Sequence, residues 1–77
     1  MKIEVTENGL LNSFSIDKTK CDYIRITQLK YGSSAVFKFS NSFLKFVFEE
    51  DAKTVEKAIF LDSGLTALSV EDELDEY

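Results

Sequence analysis

The chain has no histidine, no proline and no tryptophan, and its 77 residues include a single cysteine, a single methionine and three glycines. Without histidine there is no side chain whose ordinary pKa lies near neutrality and no imidazole ligand for zinc or iron. Nor is there an imidazole base to activate a serine or the one thiol, Cys21. A lone cysteine closes no internal disulfide, so the fold does not depend on an oxidising compartment. Lys20 beside Cys21 favours the thiolate and Asp22 on its other side offsets this, which makes an incidental thiol the better account. Glycine-rich phosphate loops and a Gly-x-Ser-x-Gly elbow are absent. Glu49-Glu50-Asp51 and Glu71-Asp72-Glu73 lack the spaced layout that wraps a loop around calcium, and adjacent acids on a strand or helix point apart. The expectation is a protein that is not an enzyme and has no cofactor and no metal site.

Long hydrophobic runs are also missing. No uninterrupted apolar stretch exceeds four residues, and Met1 to Glu7 places two acids where a signal peptide carries an apolar run. No Asn-x-Ser/Thr acceptor occurs. The expected location is cytoplasmic, with no membrane partner.

What the chain does have is apolar and aromatic mass: 44% hydrophobic residues, with seven Phe and three Tyr. That composition argues against disorder and for one small domain, since a chain of this size buries about 60–65% of its unfolded surface. Asn8-Gly9, Tyr31-Gly32-Ser33-Ser34 and Asp62-Ser63-Gly64 mark turns, with weaker breaks at 18–22, 40–42 and 50–51. Breaks at this spacing suit short strands that follow one another as hairpins. Between them the pattern has a period of two. Ile3 and Val5 alternate with polar neighbours. Leu10, Phe14 and Ile16 form one side of the next stretch. Ile24 and Ile26 oppose Tyr23, Arg25, Thr27, Leu29 and Tyr31. Ala35, Phe37 and Phe39 oppose Val36, Lys38 and Ser40, and Leu44, Phe46 and Phe48 oppose Phe43, Lys45 and Val47. A meander of about five strands is expected.

The pattern changes after Phe48. Asp51 can cap a helix near residues 52–62, with Ala52, Val55 and Ile59 on one stripe and Gly64 beyond its end. Such a helix would cover a face built from Ile3, Phe14, Ile26, Phe37 and Phe46. The fold class is therefore α+β, a small and mostly antiparallel sheet with one helix and an acidic C-terminal segment. The alternative is all-β with seven short strands, since a short apolar run such as Ile59-Phe60-Leu61 fits either period. Residues 1–70 form the expected globular domain and 71–77 the acidic tail. At the junction of the two, Ser69 can cap a short helix that aligns Val70, Leu74 and Tyr77 and forms only by docking.

Charge is unevenly spread. Residues 1–48 carry seven bases and four acids, whereas residues 49–77 carry two bases and ten acids. Residues 1–70 balance at nine of each, so the net charge of −5 sits in the last seven residues. Carboxylates clustered beside apolar side chains engage a basic groove, and long-range attraction speeds the encounter. The candidate partner-binding residues are Glu71, Asp72, Glu73, Leu74, Asp75, Glu76 and Tyr77, the acids supplying charge while Leu74 and Tyr77 anchor. In size and charge, though in no shared motif, the chain resembles the small acidic inhibitors made by phages, including anti-CRISPR proteins and other nucleic-acid mimics. That resemblance implies a non-enzymatic inhibitor or regulator that binds a partner protein through a basic surface.

A second surface is the sheet face opposite the core. Tyr23, Arg25, Tyr31, Lys38 and Lys45 interleave rings and cations, the combination that single-stranded nucleic acid uses for stacking and phosphate contact. The overall negative charge disfavours that reading, because such binding draws on phosphate neutralisation. Leu29, Phe43 and Val47 on the same side suit a homo-oligomer formed through the sheet.

Overall fold

The computed structural model describes residues 12–13 and 18–74; at 12, 13, 18 and 72–74 it describes the backbone alone. Lys2 to Thr6, the Asn8-Gly9 turn, Phe14 and Ile16 lie outside the described residues, as do Asp75, Glu76 and Tyr77. In chain order the elements are β1 (Asn12–Ser13), a 3₁₀ turn (Lys18–Lys20), β2 (Tyr23–Gln28), β3 (Ser33–Lys38), β4 (Ser42–Phe48), α1 (Ala52–Phe60), β5 (Thr66–Ala67) and β6 (Ser69–Leu74). Four of these strands form an antiparallel sheet in the order β2-β3-β4-β6, and β1 pairs with β5 as a separate two-residue bridge. The small α+β arrangement expected from the periodicity is what forms, with the helix where the stripe placed it.

Register fixes which side chains share a face. Ile24, Phe37 and Leu44 lie side by side, then Ile26, Ala35, Phe46 and Val70, then Gln28, Ser33 and Phe48. This inner face carries the core. Ala35, Phe37, Phe46, Phe48, Val55 and Ala67 are fully buried, and Leu44 and Ile59 are nearly so. Phe37 and Phe46 meet edge to face with ring centroids 5.3 Å apart, and Phe46 stacks on Phe48 at 6.2 Å. Both geometries are the ones aromatic quadrupoles favour. Val55, Ala58 and Ile59 of α1 close the core from above. Phe60, which also flanks that stripe, points away and is 70% exposed.

The helix is held by its ends. Asp51 Oδ1 accepts the Thr54 N–H at 2.8 Å, the N-cap bond. The Ala52 N–H donates to Gln28 Oε1, while Gln28 Nε2 donates to the carbonyls of Gly32 and Leu29. One side chain of β2 thus ties the β2–β3 turn to the first helical residue. Ser33 Oγ donates to the Glu50 carbonyl at 2.8 Å and fastens β3 to the same corner. At the other end Ser63 N–H reaches the Ala58 carbonyl and Asp62 N–H the Ile59 carbonyl, a Schellman motif. Its left-handed residue is Asp62, at φ 54°, rather than the expected Gly64. The helix ends at Phe60, so Gly64 arrives two residues too late to occupy that position.

The chain after Gly64 departs from expectation. The docked helix read from Ser69 does not form; Ser69–Leu74 is a strand paired with β4 from Val47↔Ser69 to Ser42↔Leu74. Eight residues with acids at the wrong end of the dipole make a poor helix, whereas the outer edge of β4 offers a ready ladder of backbone partners. The acidic segment therefore begins inside the sheet, with 71–74 part of β6.

Candidate functional site

The outer sheet face collects most of the ring-and-cation set. Tyr23, Lys38 and Phe43 form one row, Arg25, Val36, Lys45 and Glu71 the next, and Thr27, Ser34, Val47 and Ser69 the third. Tyr23, Arg25, Lys38 and Lys45 are thus brought together. Tyr31 is not among them, because β2 stops at Gln28 and Tyr31 sits 84% exposed in the β2–β3 turn.

Two of the three cations on this face are already engaged. Arg25 Cζ lies 5.4 Å from the centroid of the Tyr23 ring and Lys38 Nζ lies 4.8 Å from that of Phe43. Lys38 Nζ also donates to the Phe39 carbonyl at 2.6 Å and to the Ser40 carbonyl at 3.4 Å. Lys45 stands directly across from Glu71. A base arriving to stack would have to displace Arg25 from Tyr23 and Lys38 from Phe43, contacts worth about 0.5–1 kcal/mol each at exposed sites.

The acidic run occupies the opposite kind of place. β6 is the outer strand of the sheet among the described residues, and Glu71 on it is exposed. Asp72, Glu73 and Leu74 follow in register with Leu44, Phe43 and Ser42, so the backbone that carries them is held by β4. Three consecutive acidic residues thus ride on a sheet edge and not on a loose end.

Other chemistry-bearing groups are scattered. Cys21 Sγ donates to the Tyr23 carbonyl at 3.0 Å, and burial pushes its thiol above the ordinary cysteine pKa, which disfavours the nucleophilic thiolate. Among the described residues no three His, Cys, Asp or Glu side chains gather as a metal site. Glu50 Oε1 is a buried oxygen with no hydrogen-bond partner among the described residues, while the backbone carbonyl of Glu50 accepts from Ser33 Oγ. No helix among the described residues is long and apolar enough to cross a membrane.

One feature escaped the sequence. Ile24 and Ile26 of β2 with Glu56, Ile59 and Phe60 of α1 line a cleft of about 330 Å³ at the β2 side of the sheet. The signal was present as Phe60-Leu61, two large apolar residues that fall off the buried helical stripe; they remain 70% and 75% exposed.

Comparison of the chain with protein-family models, with curated proteins and with solved structures found no match in any of the three.

Proposed function

We propose that this protein is a non-enzymatic binding module, a small acidic inhibitor or regulator that engages a basic surface of a partner protein through the β6 edge and the residues after it. The observation that carries this reading is the placement of Glu71, Asp72 and Glu73 on a strand held in register by β4. A fixed backbone presents charge at a set spacing, which lowers the ordering cost of binding relative to a free acidic tail. Attraction between such an edge and a basic groove accelerates encounter and weakens as salt rises. Spaced carboxylates can occupy sites that otherwise hold nucleic-acid phosphates. Single-strand nucleic-acid binding through Tyr23, Arg25, Tyr31, Lys38 and Lys45 is the weaker reading, since two of its cations already lie over rings of the same face.

The test uses substitution, because truncation from residue 71 would remove most of β6. The triple variant Glu71→Gln, Asp72→Asn, Glu73→Gln keeps the strand and removes its charge. In affinity capture from the source cell, we expect a salt-sensitive protein partner to be retained by the wild-type chain and lost by the variant. Equal retention by both chains, or capture of single-stranded nucleic acid instead of protein, would overturn the reading.

A further inference from the structure

Among the described residues the sheet has a second outer strand, β2, and its edge is chemically different. The N–H of Leu29 bonds the Gly32 carbonyl and the N–H of Phe39 bonds the Ser42 carbonyl. In an antiparallel ladder these two bonds fix the alternation, so Tyr23, Arg25 and Thr27 turn their backbone groups toward β3. Ile24 and Ile26 turn theirs outward. The same two residues point their side chains to the inner face, where they line the cleft beneath α1 with Glu56, Ile59 and Phe60. Among the described residues, an unpaired backbone ladder and an apolar cleft therefore share one edge. The cleft, at about 330 Å³, lies at the small end of ligand-binding volumes of about 300–1,000 Å³.

We infer that the β2 edge takes an extended peptide segment of a partner protein as an added strand, with an apolar side chain and a Lys or Arg at alternate positions entering the cleft under α1. Strand addition satisfies the outward N–H and C=O groups of Ile24 and Ile26, and pockets for alternate side chains supply specificity. Residues opposite Ile24 and Ile26 on the incoming strand are two apart and both face inward. The apolar one packs against Ile59 and the exposed Phe60. The basic one meets Glu56, an exposed carboxylate at the cleft with no ion pair or hydrogen bond among the described residues. That charge also argues against a second copy of this chain as the occupant. The only base on β2 is Arg25, which lies on the other face, so a β2–β2 pairing brings no cation from that strand to Glu56. This surface is separate from β6 and does not depend on the function proposed for it.

A display library of seven-residue peptides panned against the full chain tests the proposal, with amide exchange by NMR as the structural readout. We expect enrichment of an apolar-x-basic alternation, and at least tenfold slower exchange of the Ile24 and Ile26 amides when an enriched peptide is bound. Phe60→Asp and Glu56→Lys change exposed side chains, so the fold survives, and each should weaken an enriched peptide at least fivefold. No enrichment, or enriched peptides indifferent to both variants, overturns the proposal. It also fails if Ile24 and Ile26 are already protected in the free monomer, which would mean that the chain's own segment fills the edge. Protection that grows with protein concentration alone would assign the edge to a second copy and overturn it equally.

Discussion

Gly32 and Gly64 make opposite predictions from the same substitution, and the contrast isolates what the β2–β3 turn requires. Gly32 lies at φ +82°, and a Cβ built there would stand 2.1 Å from the Phe48 carbonyl oxygen. The obstacle is backbone on β4, so no rotamer change relieves it. Holding alanine in the left-handed region costs roughly 1–2 kcal/mol. Forcing packed backbone apart adds about 1–3 kcal/mol. Gly32→Ala should therefore lose about 2–5 kcal/mol, against a total of roughly 3–5 kcal/mol for a domain this small. At Gly64 an added methyl would meet nothing within 4 Å, and the backbone has no positive φ. Gly64→Ala should gain about 0.4–1 kcal/mol through the unfolded chain alone. Urea unfolding followed by circular dichroism checks both. With a slope of about 1 kcal/mol per molar for a small protein, the Gly32 variant should shift its midpoint down by about 2 M or more, or be unfolded outright. A Gly32 variant within about 0.5 kcal/mol of wild type, on the scale of an ordinary surface change, would refute the account of this corner.

Two further expectations concern titration. The Cys21 thiol holds its proton to higher pH in the folded state than the ordinary 9.0, chiefly through burial; its contribution to stability is present below the unfolded pKa and is lost as pH rises through the folded one. Reaction with a disulfide reagent near neutral pH should be slower than for the unfolded chain and accelerate as the pH passes the ordinary 9.0, and equal rates for the two states would contradict the burial. The Asp51 carboxyl is held below its ordinary 3.8, first by the Thr54 N–H and then by the Thr54 hydroxyl. Its stabilisation is present above the unfolded pKa and disappears as pH falls through the folded one, so Asp51→Ala should lower the melting temperature at neutral pH and converge on wild type in strong acid. A difference that persists unchanged in strong acid would rule out the capping role.

The sheet was legible because its residues alternate without conflict: Ile24 and Ile26, Ala35 and Phe37, Leu44 and Phe46 all reach the inner face as their period of two demands. The helix was legible from Asp51 and the Val55–Ile59 stripe, local features that need no distant partner. What the sequence left ambiguous was decided by contacts far along the chain. Ser69-Val70-Glu71-Asp72 satisfies a helix-capping pattern, yet the free ladder of β4 recruits it as a strand. Periodicity within a segment carries no record of which edge stands open elsewhere. The cleft was hidden for the same reason: Ile24 and Phe60 are far apart in sequence, and only the passage of α1 over β2 makes them neighbours.

An open sheet edge is a liability, because unpaired N–H and C=O groups template association with other chains. The two outer strands of this sheet among the described residues meet that hazard differently. β6 carries Glu71, Asp72 and Glu73, and charge of one sign along an edge repels a second identical strand. β2 spans Tyr23–Gln28 with one charge, Arg25, which is drawn over the Tyr23 ring on the outer face. Glu56, which α1 supplies from above, is the charged residue of the cleft lining on its inner side, and a carboxylate there disfavours acidic segments while attracting a basic one. The neutral β6 variant thus separates two roles for the same acids. If they serve only to blunt the edge, Glu71→Gln, Asp72→Asn, Glu73→Gln self-associates in sedimentation and keeps its partner. If they are the binding surface, it loses the partner. Under the two proposals above, acids on one edge and a cleft on the other would engage separate partners at opposite sides of the four-stranded sheet.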